Sequence, residues 1–249
     1  MRQLVRILLV LTLCVIASSS VAAAATLYDG TLGTLPAAQG WLYYPNLPGL
    51  QQVVGNATVL DTTSNQGIQV GYSPLSPPVF DRNVGYTITF DVRVAAESHA
   101  SNHRAGFSLI SLDKDMKGIE LGFWQDHIWA QNDGLVSPPL FTHGEDVAFD
   151  TTAAITRYTL SVDSANYHLR ANGNPTPILS GALRDYTASG LTPYNTPNLL
   201  FFGDDTISAA ARIELGYVAA VPEPATWAML LGGAAMMGFC CRCKRRGVR

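Results

Sequence analysis

Tyr86-Thr87-Ile88-Thr89-Phe90-Asp91-Val92-Arg93-Val94 carries an apolar side chain at every second position and a polar one between. Successive side chains of a strand point to opposite faces, so a period of two makes a strand buried on one side. The same reading extends outward in both directions. Phe107–Leu112 forms a second strand, and Ile119–Trp124 a third that pairs with His127–Gln131 across Gln125-Asp126. Arg157–Val162 and Tyr167–Ala171 flank the turn residues Asp163-Ser164-Ala165-Asn166, and Asn172-Gly173-Asn174-Pro175 is a further turn. Leu199-Leu200-Phe201-Phe202 is apolar at consecutive positions, as a strand buried on both faces would be, and Ala210–Val218 closes the series with Ile213, Leu215 and Tyr217 in phase. Upstream, Trp41–Tyr44, Gln52–Val54, Thr58–Asp61 and Gly67–Tyr72 add shorter strands. No helix of ten or more residues is expected between Thr26 and Ala220. Strands recurring about every ten residues, with Gly, Pro, Asn and Asp between them, predict an all-β antiparallel sandwich.

Composition narrows the function. The chain has 249 residues, of which 47% are hydrophobic and only 14% charged. That excludes a disordered charged protein and a coiled coil. Seven of the 16 basic residues lie at the two ends, at Arg2, Arg6, Arg242, Lys244, Arg245, Arg246 and Arg249. Between Thr26 and Val221, nine Lys/Arg face 18 Asp/Glu, a net of −9. So acidic a domain is a poor ligand for nucleic acid, where affinity comes from neutralised phosphates. Of the four cysteines, Cys14 lies near the start and Cys240, Cys241 and Cys243 near the end. The middle therefore has no disulfide and no Cys-based metal site, and its core must hold it together.

The ends read as targeting segments. Residues 1–25 combine Arg2 and Arg6, the apolar run Ile7–Ile16 and a small-residue exit closing on Ala23–Ala25, the three parts of a secretory signal peptide. At the other end, Pro222-Glu223-Pro224 precedes an apolar stretch over 225–241 and the basic tail Arg242-Cys243-Lys244-Arg245-Arg246. Seventeen apolar residues are at the short limit for a transmembrane helix, and the basic tail would remain cytoplasmic. The chain thus divides into a signal peptide (1–25), a β-sandwich (26–220) and a C-terminal segment (221–249).

The tripeptide, short apolar helix and basic terminus after a signal peptide resemble the PEP-CTERM sorting signal of Gram-negative bacteria. That resemblance implies Pro222, Glu223 and Pro224 as the motif read by an exosortase, which removes the helix and passes the protein to the cell surface. It also implies a setting of exopolysaccharide, floc or biofilm. Cys240, Cys241 and Cys243 depart from the barest form of the signal and are either lipidated or small apolar fillers. The order and spacing of strands in 26–220 resembles, more loosely, the concanavalin A-like jelly roll shared by laminin G modules, legume lectins, pentraxins and laminarinase-type glucanases.

Glucanases of that architecture share a Glu-x-Asp-x-x-Glu strand whose alternation puts two carboxylates on one face. Glu120-Leu121-Gly122-Phe123-Trp124-Gln125 does not supply it, while Glu145-Asp146 and Asp204-Asp205 are adjacent and would point to opposite faces. No Gly-x-Ser-x-Gly elbow or phosphate-cradling glycine loop is present. His99 and His103 sit four apart in a polar stretch where that spacing fixes no geometry, and His127, His143 and His168 read as isolated surface residues. An exported acidic domain meets calcium, which takes clustered oxygens. Asp204 and Asp205 are the candidate calcium ligands, ahead of Asp113-Lys114-Asp115. Trp124, Asp126, Trp129 and Asn132 in one hairpin are the candidate carbohydrate-binding set, aromatic faces for sugar rings beside polar groups for hydroxyls, against the alternative that the rings are core. The expectation is a non-catalytic exported sandwich binding exopolysaccharide at the cell surface or in the matrix. The alternatives are a secreted glycan hydrolase or lyase acting through Glu120 or Glu145, and a protein–protein matrix subunit without a small ligand.

Overall fold

A computed structural model describes residues 24–45, 47, 49–133 and 141–222. Residues 1–23 of the expected signal peptide and the segment 225–241 lie outside the described residues, as do Glu223 and Pro224, while Ala25 already belongs to the first strand. Among the described residues no helix is long and apolar enough to cross a membrane.

In chain order the strands are β1 (Ala25–Asp29), β2 (Trp41–Tyr44), β3 (Gln51–Val54), β4 (Ala57–Asp61), β5 (Val70–Pro74), β6 (Tyr86–His99), β7 (Ser108–Leu112) and β8 (Lys117–Phe123). They continue as β9 (His127–Gln131), β10 (His143–Ala148), β11 (Thr156–Asp163), β12 (Asn166–Ala171), β13 (Leu179–Ala182), β14 (Arg184–Asp185), β15 (Leu200–Asp204) and β16 (Ala209–Pro222). Two short 3-10 turns, Gly30–Leu32 and Pro36–Gln39, are the helical elements found among the described residues. One sheet runs β13-β12-β11-β6-β16-β4-β3, with β1 also on β16; the other runs β10-β9-β8-β7-β15-β5-β2, with β14 on β8. Every strand pairing is antiparallel. The fold is the antiparallel sandwich that the alternation predicts, with the jelly-roll character that the resemblance in strand order implies.

The apolar set of β6, Tyr86, Ile88, Phe90, Val92 and Val94, is buried between the sheets with Leu109, Leu121, Phe123, Leu160, Phe202 and Leu215. Phe90 is a bridge: its ring stacks on Tyr158 of its own sheet at 5.2 Å and meets Phe123 and Phe202 of the other edge-on at 6.1 and 5.5 Å. The turn residues behave as their types require. Asn172 and Gly173 both take the left-handed conformation, at φ 54° and 71°, that a tight reversal demands.

Leu199–Phe202 is buried on both sides because the second sheet is covered on its outer face as well. Leu200 and Phe202 enter the main core. Leu199 and Phe201 join Ile110, Leu112, Phe141, Tyr186 and Tyr194 in a separate cluster. The latter three arrive from connecting segments folded over β7, β8 and β15.

Candidate functional site

β6 does not end with its alternating core run. It continues to His99, and the period of two puts Glu97 and His99 on one face. The β8–β9 turn brings Gln125 and Asp126 alongside, and the connection out of β10 brings Phe149, Asp150 and Thr152. These residues, with Ser98 and Ala148, line an open cleft of about 970 Å³.

Backbone bonds make the cleft rigid. Phe149 N–H donates to Asp126 O at 2.9 Å, Thr151 N–H to Gln125 O at 3.0 Å, and Val94 N–H to Thr151 O at 3.1 Å. Thr151 Oγ1 donates to Trp124 O at 2.7 Å, and Arg93 Nε to Thr152 O at 2.7 Å. Both oxygens of Glu97 lie 2.9–3.0 Å from His99 Nδ1. Burial raises the Glu97 carboxyl above its usual range, opposed by His99 and a Gly106 backbone donor. The His99 ring lies flat on Trp124, centroids 4.2 Å apart and planes within 10°. Trp124 is fixed in turn by its Nε1 donating to Arg104 O at 2.9 Å.

The four candidate carbohydrate residues separate. Asp126 lines the cleft. Trp124 is half-buried beneath His99, so it supports the cleft from behind. Trp129 is 0% exposed. It sits opposite Gly122, where a Cβ would come within 2.6 Å of the indole, and His143 stacks on its other side at 4.6 Å. The missing side chain of Gly122 lets the ring lie against the sheet, which removes Trp129 from any surface a sugar reaches. Asn132 is engaged by Thr142, its Nδ2 donating to Oγ1 at 2.9 Å.

The candidate calcium residues face apart. Asp204 is buried, accepting from Thr62 Oγ1 at 3.0 Å and the Thr206 N–H at 3.1 Å. Burial pushes its carboxyl up to about 8. Asp205 belongs to the outer face, where it accepts from the Tyr194 hydroxyl at 3.0 Å. The structure therefore does not bring the two together as ligands of one ion. Among the described residues no three His, Cys, Asp or Glu form a group able to hold a metal. Asp113 is committed to Arg82 Nη1 at 2.5 Å and to the Asp115 and Lys117 N–H groups.

Sequence reasoning missed two constellations. His99, His103, His127 and His143 are not isolated. His99, His127 and His143 pack on Trp124, and His103 Nδ1 accepts from the His143 N–H at 3.0 Å. The usable signal was Glu97-x-His99 at strand spacing. The second is Glu120, only 1% exposed, which accepts from Ser108 Oγ at 2.9 Å and shares a hydrogen bond with the Tyr194 hydroxyl. Tyr194 thereby joins Glu120 to Asp205. Burial raises both carboxyls, Glu120 to about 8, and their mutual repulsion adds to it on Glu120. A phenol has one proton to donate, so its second carboxyl contact requires a protonated partner. Glu145 is structural: Arg184 Nη2 at 2.6 Å and Tyr167 at 2.8 Å hold it.

Residues 220–246 match the model of the PEP-CTERM protein-sorting motif. The motif marks an exported protein, membrane-anchored before processing by an exosortase. The described part of that segment is the end of β16, where Val221 and Pro222 still pair with Thr87 and Tyr86. No curated protein matches the chain. Among solved structures, a carbohydrate esterase from the Shiga toxin-encoding bacteriophage phi24B is similar, with a TM-score of 0.57 at 14% identity, covering 81% of this chain and all of that one. The Emp46p carbohydrate recognition domain is also similar (TM-score 0.47, 9% identity, 80% and 96% covered). So is a galectin-like protein of Bacillus subtilis of unknown function (TM-score 0.44, 11% identity, 80% and 96% covered). At 14% identity the likeness to the esterase shows the fold alone.

Proposed function

We propose that this is an exosortase-processed protein of the cell surface or extracellular matrix whose β-sandwich binds exopolysaccharide at the β6/β8–β9/β10 cleft without turning it over. The observation that carries the reading is the cleft itself. It is concave, held by backbone bonds before any ligand arrives, and floored by the His99–Trp124 stack with Phe149 beside it. Gln125, Asp126, Asp150 and Thr152 supply donors and acceptors for sugar hydroxyls. A few placed polar groups around an apolar surface are what a small-ligand site needs. The neighbours named as carbohydrate esterase and carbohydrate recognition domain are consistent with this.

One contact favours the enzymatic reading. Glu97 orients His99 through Nδ1, and among the described residues Nε2 has no hydrogen-bond partner, the arrangement of a general base. Product release from an exopolysaccharide, lost in His99→Ala, would establish a hydrolase or lyase in place of a binder.

The unit Ala24–Pro222 contains the whole sandwich core and is the portion to test. A glycan that binds only the folded state adds about 2.7 kcal/mol at a hundredfold excess over Kd. The expected result is a raised unfolding midpoint with at least one bacterial exopolysaccharide and no product. Unchanged midpoints across the set would overturn the reading.

A further inference from the structure

The charge of the cleft identifies which class of glycan it takes, an inference that rests on the glycan-binding reading above. Of its lining residues three are carboxylates, Glu97, Asp126 and Asp150, and none is Lys or Arg. Glu97 is committed: its side chain is 3% exposed and bonded to His99. Asp126 and Asp150 are not enclosed in this way. The Asp126 side chain is 79% exposed and Asp150 lies at the surface. Each has a hydrogen-bonding neighbour. His127 Nδ1 lies 3.0 Å from Asp126, and the Thr152 N–H and hydroxyl donate to Asp150 at 2.8 and 2.7 Å. The same bonds, Asp126's to His127 and Asp150's to Thr152, hold both carboxyls below the ordinary range, so both remain ionised in mildly acidic solution.

An apolar and aromatic floor with two anions at its rim discriminates by sign. Each uronate residue of an acidic polysaccharide would bring a like charge against Asp126 and Asp150, a juxtaposition that costs affinity. A neutral polymer would gain stacking alone. A polymer with free ammonium groups gains both stacking and charge pairing. We propose that the cleft binds a de-N-acetylated amino-sugar polymer, with pyranose faces against His99 and Phe149 and ammonium groups paired with Asp126 and Asp150.

The test measures binding of the Ala24–Pro222 unit to a glucosamine oligomer, its fully N-acetylated counterpart and an oligouronate in mildly acidic buffer. The Asp126→Asn/Asp150→Asn double variant is measured beside it. Both side chains are exposed, so an unchanged unfolding midpoint verifies that the variant is folded. The glucosamine oligomer is expected to bind roughly tenfold tighter than the acetylated one, as two exposed ion pairs supply. The oligouronate is expected not to bind, and the advantage to disappear in the double variant and at high salt. Equal affinity for free and acetylated oligomers overturns the proposal, as does binding of the oligouronate. An advantage that survives the double variant also overturns it, because it then belongs to the acidic surface as a whole. Any of these three results leaves the cleft a glycan site of another class; no binding by any glycan removes both readings.

Discussion

Glu120→Gln is expected to remove a large part of the pH dependence of stability. The folded protein holds the Glu120 carboxyl up at about 8 against an ordinary value of 4.5, and Asp204 at about 8 against 3.8. Between those limits each group carries a proton in the folded state and none in the unfolded state. The stabilisation is thus complete below the unfolded values and is lost as pH rises through the folded ones. Each such group costs about a tenfold loss in the folded-to-unfolded ratio per pH unit, or about 3 kcal/mol from pH 5 to pH 7. Glutamine replaces the bound proton with a permanent donor. Its oxygen accepts from Ser108 and its amide donates to the Tyr194 oxygen, while Tyr194 donates to Asp205. The variant should lose the part of the wild-type slope that Glu120 carries, about one proton, and be the more stable protein at pH 8. Denaturant unfolding at several pH values measures it. A slope equal to wild type would mean that Glu120 is ionised in the folded protein and that Tyr194 is not the link described.

Phe90→Ala is expected to produce the largest loss of stability among single core truncations on β6. Its ring touches Tyr158, Phe123 and Phe202 at once, and so joins strands of both sheets at the centre of the core. No disulfide shares the load. Truncation removes the buried surface and leaves a cavity that two sheets held by backbone ladders cannot close, at about 3–5 kcal/mol. For a domain of this size that is a fall in Tm of about 6–20 °C. Phe90→Leu keeps most of the volume and should fall by less than half as much. Differential scanning calorimetry of both variants decides it, and a shift of only a degree or two for Phe90→Ala would contradict the assigned core.

The sandwich was legible because burial writes itself into period two. Tyr86–Val94 and the paired runs around Gln125-Asp126 identify strands without any knowledge of their neighbours. The turn residues at Asn172-Gly173 mark a reversal by their backbone freedom alone. The cleft was less legible. Glu97 and His99 are polar at the end of a strand whose apolar signal has already stopped, so the stretch resembled a loop, and only the pairing of Ala209–Ala211 with Glu97–His99 extends β6 that far. Trp129 stood between a sugar-binding ring and a core ring because nothing local announces that Gly122 has made room for it. The Glu120–Tyr194–Asp205 link joins a central strand to a tyrosine 74 residues further on in a connecting segment, and no spacing rule reaches it. The sorting segment was the opposite case: Pro222-Glu223-Pro224 is recognised as sequence and needed no fold.

Intrinsic fluorescence offers the most direct test of the cleft as a glycan site. In the Ala24–Pro222 unit the tryptophans are Trp41, Trp124 and Trp129, of which Trp41 and Trp129 are buried and Trp124 lies under His99 at the cleft. Titration with exopolysaccharide should change the emission saturably. His99→Ala should weaken binding at least about tenfold, as loss of a central stacking contact does, measured well below an unfolding midpoint that the loss of the Glu97 partner lowers. Saturable binding that His99→Ala leaves unchanged would place the glycan elsewhere, and a titration without any saturable change would contradict the account.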